Sequence, residues 1–218
     1  MPEVLKIDPQ NPDIALVTKA VHILEKGGVI AYPTETFYAL GADGSNDKAI
    51  ERIFHIKGRD SRNPLSVIIR DMSYLRSLVQ EIPEGAVRLM EAFWPGALTL
   101  VFRASQNVSP LLTAGSGKIG IRVSSHRIAT ALVKALHRSI TATSANISGA
   151  RECTSAYDVI ECIGHQIDAV IDGGPTPGGA GSTIIDITTT PPVILREGAI
   201  SLPIIQKTLQ IATPGIHE

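Results

Sequence analysis

The residues best suited to chemistry in this 218-residue chain fall into four polar clusters. His55-Ile56-Lys57-Gly58-Arg59-Asp60-Ser61-Arg62-Asn63 places three cations around a glycine. Arg offers a planar fork for phosphate or carboxylate and Lys a mobile point charge, a combination suited to a polyphosphate. Cations before a glycine also make an ordinary helix stop, and both readings stand at this point. In Thr141-Ala142-Thr143-Ser144-Ala145-Asn146-Ile147-Ser148-Gly149, β-branched strand chemistry gives way to a polar turn. If that backbone stays extended, Ser144 and Asn146 point to one side; an Asx turn is the alternative. Tyr32-Pro33-Thr34-Glu35-Thr36-Phe37-Tyr38 sets hydroxyls and a carboxylate behind an apolar strand, where open α/β sheets hold their ligands. A helix start capped by Thr34 explains the same residues. The stretch from Gly173 to Gly181, with five glycines in nine residues, precedes Ser182, Thr183 and, further on, Arg196. Such a loop lets backbone amides approach a ligand and is expected to be a loose cover until one binds.

Elements that could position these clusters alternate along the chain. Asn11-Pro12-Asp13 reads as a cap with proline at the first helical position, followed by Ile14, Val17, Val21 and Leu24 at helical spacing and a Gly27-Gly28 stop. Further helices are predicted from Asn46 to Lys57, 86–93, 128–136 and 156–163, the last behind a Ser155…Asp158 capping box. Strands are predicted at 29–32, 65–69, 98–102, 119–123, 139–143, 169–171, 183–187 and 193–196. The alternation implies an α/β layer architecture, and the helix-poor stretch after residue 165 implies antiparallel strands in a mixed sheet.

Several function classes lose their anchor. Gly115-Ser116-Gly117-Lys118-Ile119-Gly120 satisfies G-x-G-x-x-G, but Pro110 interrupts what precedes it and a strand follows where a dinucleotide site needs a helix. A phosphate loop ending at Lys118 would need glycine at Leu112 and a hydroxyl at Ile119. A zinc-protease helix and a G-x-S-x-G elbow are absent from the sequence. A net charge of −1 leaves nucleic-acid contact to clustered cations, and Cys153 and Cys162 match no metal-ligand spacing. Without a basic start before an apolar stretch, or an apolar run of membrane-spanning length, the expectation is a cytoplasmic protein making no membrane contact.

Taken in order, the clusters resemble the YrdC-like family of threonylcarbamoyl-AMP synthases. K-x-R falls at Lys57/Arg59 and S-x-N at Ser144/Asn146. P-T-[ED]-T-x-Y-x-L-G begins at Pro33, W-P-G-x-L-T at Trp94, S-A-N-x-S-G at Ser144, S-T-[IV]-[IV]-D at Ser182 and R-x-G at Arg196. The departures are Ala39 where Gly is usual, Ala97 where Pro is common and Ile68 where some members carry His. The resemblance implies one YrdC-like domain over residues 1–218, with its core at about 10–205, in the short form that lacks a second domain. It implies an α/β fold with a large twisted mixed β-sheet flanked by helices. The implied reaction joins L-threonine, bicarbonate and ATP into threonylcarbamoyl-AMP with release of pyrophosphate, Mg²⁺ arriving with ATP. A tRNA contact and a downstream tRNA threonylcarbamoyl transferase complex are the implied partners.

Carried over by motif, Lys57, Arg59, Ser144 and Asn146 form the catalytic set. Thr36, Arg122, Ser144 and Ser182 bind threonine, and Ile68 contributes its backbone. Arg59, Asn63, Lys118, Asn146, Thr154 and Arg196 contact ATP, and no protein metal ligand is implied. Two competing readings keep the fold without the chemistry: a double-stranded-RNA or tRNA-binding module, and an inactive paralogue. Affinity for RNA that falls steeply with salt, without ATP turnover, marks the first. A relative that uses carbamoyl phosphate is a third.

Overall fold

Successive side chains of a strand point to opposite faces, and in the six-stranded sheet that division places the site. The computed structural model describes residues 1–58 and 63–210. The strands are β1 (Glu3–Lys6), β2 (Ile30–Pro33), β3 (Tyr38–Gly41), β4 (Val67–Ile68), β5 (Leu98–Arg103), β6 (Lys118–Arg122), β7 (Ile140–Thr141), β8 (Thr143–Ser144), β9 (Ala169–Asp172), β10 (Thr183–Asp186) and β11 (Val193–Arg196). The helices are α1 (Ile14–Glu25), α2 (Asp47–Lys57), α3 (Met72–Leu78), α4 (Glu84–Phe93), α5 (Pro110–Thr113), α6 (Arg127–Leu136), α7 (Ala156–Ile163) and α8 (Leu202–Gln210).

The mixed sheet expected from the sequence is realised as two: a five-stranded sheet in the order β1-β9-β2-β3-β8 and a six-stranded sheet in the order β11-β10-β5-β6-β4-β7. The segment read as one strand over 139–143 joins them. Its first half, β7, pairs antiparallel with β4, and its second half, β8, pairs antiparallel with β3. Thr141 N–H donates to Ala42 O at 2.9 Å and Ala142 N–H to Ser66 O at 2.8 Å, so both amides at the changeover are paired. Ser144 and Asn146 thereby sit at the seam between the sheets.

In the five-stranded sheet, Ala31, Tyr38, Leu40 and Val170 face one core, shared with α2 and α7, while Ile30, Tyr32, Ala39, Ala169 and Ile171 face a second core beneath α1 and α6. In the six-stranded sheet, Leu98, Leu100, Phe102, Ile119, Ile121 and Ile185 enter the first core. The residues between them, Thr99, Arg122 and Ile184, open onto a cleft. A Cβ at Gly120 would meet Ser66 Oγ at 2.6 Å and Ser66 Cβ and Thr99 Cγ2 at 3.3 Å, so a larger residue here would press on two side chains that line the cleft.

The structure differs from the sequence expectation at several places. Asp13 caps α1 through its side chain, so Pro12 precedes the cap. Residues 34–37 form the turn of a β2–β3 hairpin, which excludes the helix start at Thr34. The loop from Gly173 to Gly181 is anchored: Tyr38 OH donates to Gly174 O at 2.7 Å, Gly178 N–H to Thr36 O at 2.9 Å and Thr176 N–H to Thr154 O at 2.8 Å. The expected antiparallel pairing after residue 165 holds for β10 and β11, whereas β9 runs parallel to β1 and β2. No helix among the described residues is long and apolar enough to cross a membrane.

Candidate active site

A cleft of about 710 Å³ lies over the seam of the two sheets, lined by Thr34, Thr36, Lys57, Asn63, Ser66, Thr99, Arg122, Ser144, Asn146, Arg151, Glu152, Ser182 and Arg196 among others. Among these described lining residues the cations are Lys57, Arg122, Arg151 and Arg196 and the carboxylate is Glu152 alone, so the cleft favours an anion.

Lys57 ends α2, which stops at Gly58 in the left-handed conformation (φ 54°). The helix start is equally plain, with Asn46 Oδ1 accepting from Ala49 N–H at 3.1 Å. Lys57 is only 3 % exposed, and its Nζ donates to Ser144 O at 2.8 Å, Ser144 Oγ at 3.3 Å and Asn146 Oδ1 at 2.7 Å. Ser144 Oγ donates to Asn146 Oδ1 at 2.8 Å, and Asn146 Nδ2 donates to Ala150 O. The two polar side chains meet through a turn: the strand ends at Ser144 and Asn146 N–H donates back to Ser144 O at 3.0 Å, so the extended reading of this stretch does not hold. Their backbone is pinned to β3 by Ala145 N–H donating to Tyr38 O at 2.9 Å. Desolvating an ammonium is expensive, and these acceptors offset part of that cost at the cleft floor.

Arg122, at the end of β6, is the second buried cation, and its Nη1 lies 3.2 Å from Glu35 Oε1. Two hydroxyl pairs complete the cleft wall. Thr34 Oγ1 and Thr36 Oγ1 are 3.1 Å apart, and Thr99 Oγ1 and Ser182 Oγ are 3.0 Å apart. Arg196 lines the cleft while gripping the S-T-I-I-D segment: its Nε and Nη2 donate to Ser182 O at 3.1 and 2.9 Å, and Nη2 also to Ser182 Oγ at 3.2 Å. Burial lowers the Arg196 pKa below the usual guanidinium value, Glu152 works against that shift, and Arg122 adds to it. Burial also pushes the Tyr38 phenol up to about 12, so it stays protonated and keeps its hold on Gly174.

The structure thus brings together Thr36, Lys57, Asn63, Arg122, Ser144, Asn146, Ser182 and Arg196 from the sequence-derived set. Arg59 lies outside the described residues. Three others do not line the cleft. Lys118 Nζ is paired with Asp186 Oδ2 at 2.7 Å. Burial tends to raise the Asp186 carboxyl, but the Lys118 and Thr188 hydrogen bonds outweigh it and hold the group low. Thr154 donates through its N–H and Oγ1 to Asp158 Oδ2 in the α7 cap, at 3.0 and 3.2 Å. Ile68 is fully buried, its backbone enclosed between β6 and β7. Thr34, from the Tyr32–Tyr38 cluster, lines the cleft as well, whereas sequence reasoning missed Ser66, Thr99, Arg151 and Glu152 as lining residues. Thr99 was detectable, because it closes the W-P-G-A-L-T stretch and alternates with two core leucines.

The fold and cleft define a mixed α/β protein with a cationic, hydroxyl-rich pocket at the seam of two sheets. Residues 22–198 match the Sua5_yciO_yrdC family, described as Telomere recombination, and the chain belongs to that family. It is 43 % identical over 190 residues to the threonylcarbamoyl-AMP synthase of Pyrococcus abyssi, covering 87 % of this chain and 56 % of that protein. The crystal structure of P. abyssi Sua5 complexed with L-threonine superposes with a TM-score of 0.92 at 40 % identity, over 95 % of this chain and 61 % of that one. The crystal structure of Escherichia coli YciO gives a TM-score of 0.86 at 34 % identity, over 94 % of this chain and 100 % of that chain. The chain spans 56 % of the length of the first curated relatives it matches, just over half.

Proposed function

We propose that this chain condenses L-threonine, bicarbonate and ATP into threonylcarbamoyl-AMP, releasing pyrophosphate. The observation that carries the reading is the convergence of Lys57, Ser144 and Asn146 with Arg122, Thr36 and Ser182 in one cation-rich cleft. In this reading the threonine amine and bicarbonate give a carbamate with loss of water. A carbamate oxygen then attacks the α-phosphorus of ATP, the bond to the β-phosphate oxygen breaks, and pyrophosphate leaves. No protein nucleophile is required, so the protein contributes orientation and charge stabilisation.

Arg122 is the fork for the threonine carboxylate, with Thr36 and Ser182 as partners for the hydroxyl. Lys57 and Arg196, together with Arg59 and Asn63 from the same sequence cluster, meet the phosphates. Ser144 and Asn146 contact the nucleotide or the forming carbamate and hold Lys57 in place. Among the described residues no group of three or more His, Cys, Asp or Glu could hold a metal ion. Mg²⁺ in this account is carried by the triphosphate. The product would pass to a tRNA threonylcarbamoyl transferase complex.

Labelled bicarbonate tests the reading. With ATP, Mg²⁺ and threonine, ¹³C from bicarbonate should appear in a threonylcarbamoyl adenylate detected by mass spectrometry. RNA binding that falls steeply with salt, in a protein that forms no such product, would move the reading to an RNA-binding module.

A further inference from the structure

Arg122 does not stand alone. Glu35 lies 3.2 Å from its Nη1, and both side chains are nearly buried, 6 % exposed for the arginine and 14 % for the glutamate. Glu35 sits in the β2–β3 turn between Thr34 and Thr36, both of which line the cleft, yet Glu35 itself does not. Its Oε2 accepts from Ser124 Oγ, and Ser124 Oγ accepts from His126 N–H at 3.1 Å, at the start of α6. The carboxylate is therefore fixed by the hairpin turn on one side and the β6–α6 junction on the other. Its Oε1 has no aligned hydrogen-bond donor among the described residues. The tie to Arg122 is thus a lateral contact between charges, and it does not commit the guanidinium N–H bonds to Glu35.

We propose that Glu35 is a positioning residue that reserves Arg122 for the amino-acid carboxylate. A nearly buried guanidinium with no anion beside it is drawn to whichever anion is within reach. In this cleft those are the lining carboxylate Glu152 and an incoming triphosphate. Glu35 supplies the compensating charge from outside the cleft and keeps the guanidinium at the end of β6, its donors turned to the ligand. The inference rests on the reading of Arg122 as the partner of the threonine carboxylate, and it adds a residue that touches no substrate.

The test is the steady-state kinetics of pyrophosphate release for Glu35→Gln, which keeps the shape and the Ser124 contact but removes the charge. The threonine KM should rise about tenfold while the ATP KM stays within about twofold. Ser124→Ala, which loosens the carboxylate and leaves its charge, should raise the threonine KM in the same direction by about threefold, and it decides the matter if Glu35→Gln does not fold. A threonine KM that is unchanged in both variants, or that falls because the unpaired Arg122 captures carboxylates more strongly, overturns the proposal. A parallel rise in both KM values overturns it too, since that marks general damage. Wild-type pyrophosphate release that does not depend on threonine would instead overturn the underlying reading of the site.

Discussion

Replacing Lys57 with methionine separates a catalytic lysine from one that is merely buried. Methionine keeps an unbranched apolar stem of similar length, so the cavity change is small, but at least three donated hydrogen bonds are lost, to Ser144 O, Ser144 Oγ and Asn146 Oδ1. A hydrogen bond to a charged group is worth about 1.5–3 kcal/mol. Two of the acceptors retain some compensation, because Ser144 Oγ still donates to Asn146 Oδ1 and Ser144 is only half-buried. A net cost of about 3 kcal/mol follows. For a chain of this size that lowers Tm by about 6–12 °C, at about 2–4 °C per kcal/mol. With ordinary stability of about 5–15 kcal/mol the variant remains mostly folded at 25 °C, so a rate measured there reports chemistry. Loss of one charge-stabilising donor costs about 10²- to 10³-fold in kcat. The assay is pyrophosphate release at saturating threonine and ATP beside a thermal melt. A Tm drop of the expected size with turnover within threefold of wild type would refute the catalytic assignment and leave Lys57 as a structural charge.

Three further outcomes are expected. Tyr38→Phe removes the tie to Gly174 O, so hydrogen exchange of residues 173–178 should speed up about fivefold, the equivalent of about 1 kcal/mol; unchanged exchange would show that the other anchors suffice. Burial holds the His126 imidazole below its ordinary value of 6.5, against an opposing pull from Glu35, so the folded state binds fewer protons than the unfolded chain. Stability should therefore fall as pH drops below about 6.5, and His126→Gln should flatten that part of the curve; identical slopes for the two proteins would contradict the assignment. Threonine should exceed valine in kcat/KM by about tenfold: Thr36 and Ser182 keep Thr34 and Thr99 as partners when valine is bound, so only the net worth of a hydrogen bond or two, about 0.5–1.5 kcal/mol each, separates the substrates, and equal rates would remove both hydroxyls from the pocket.

Much of the fold could be read in the sequence where one period ruled a segment. The α7 boundaries and its Ser155…Asp158 box agree with the spacing, as does the Asn46-to-Lys57 helix with its glycine stop. What escaped was set by partners distant in sequence. β3 was hidden because Tyr38, Ala39, Leu40 and Gly41 are buried on both faces and show no alternation. β1, only four residues long, exists through its pairing with β9, and α8 packs beyond the last motif. The changeover at Ala142 could not be seen locally, since a strand that switches sheets has the composition of one that does not. The site shows the same division. Ser144, Asn146 and Lys57 converge as the motif spacing suggested, whereas Lys118 and Thr154 are engaged by Asp186 and Asp158, partners that no local pattern reveals.

Pyrophosphate release under substrate omission shows whether this one cleft carries the whole condensation. With ATP and Mg²⁺ present, release should require both threonine and bicarbonate and fall to background when either is withheld. Release that continues without threonine or bicarbonate, or no release with all of them present, would contradict the account.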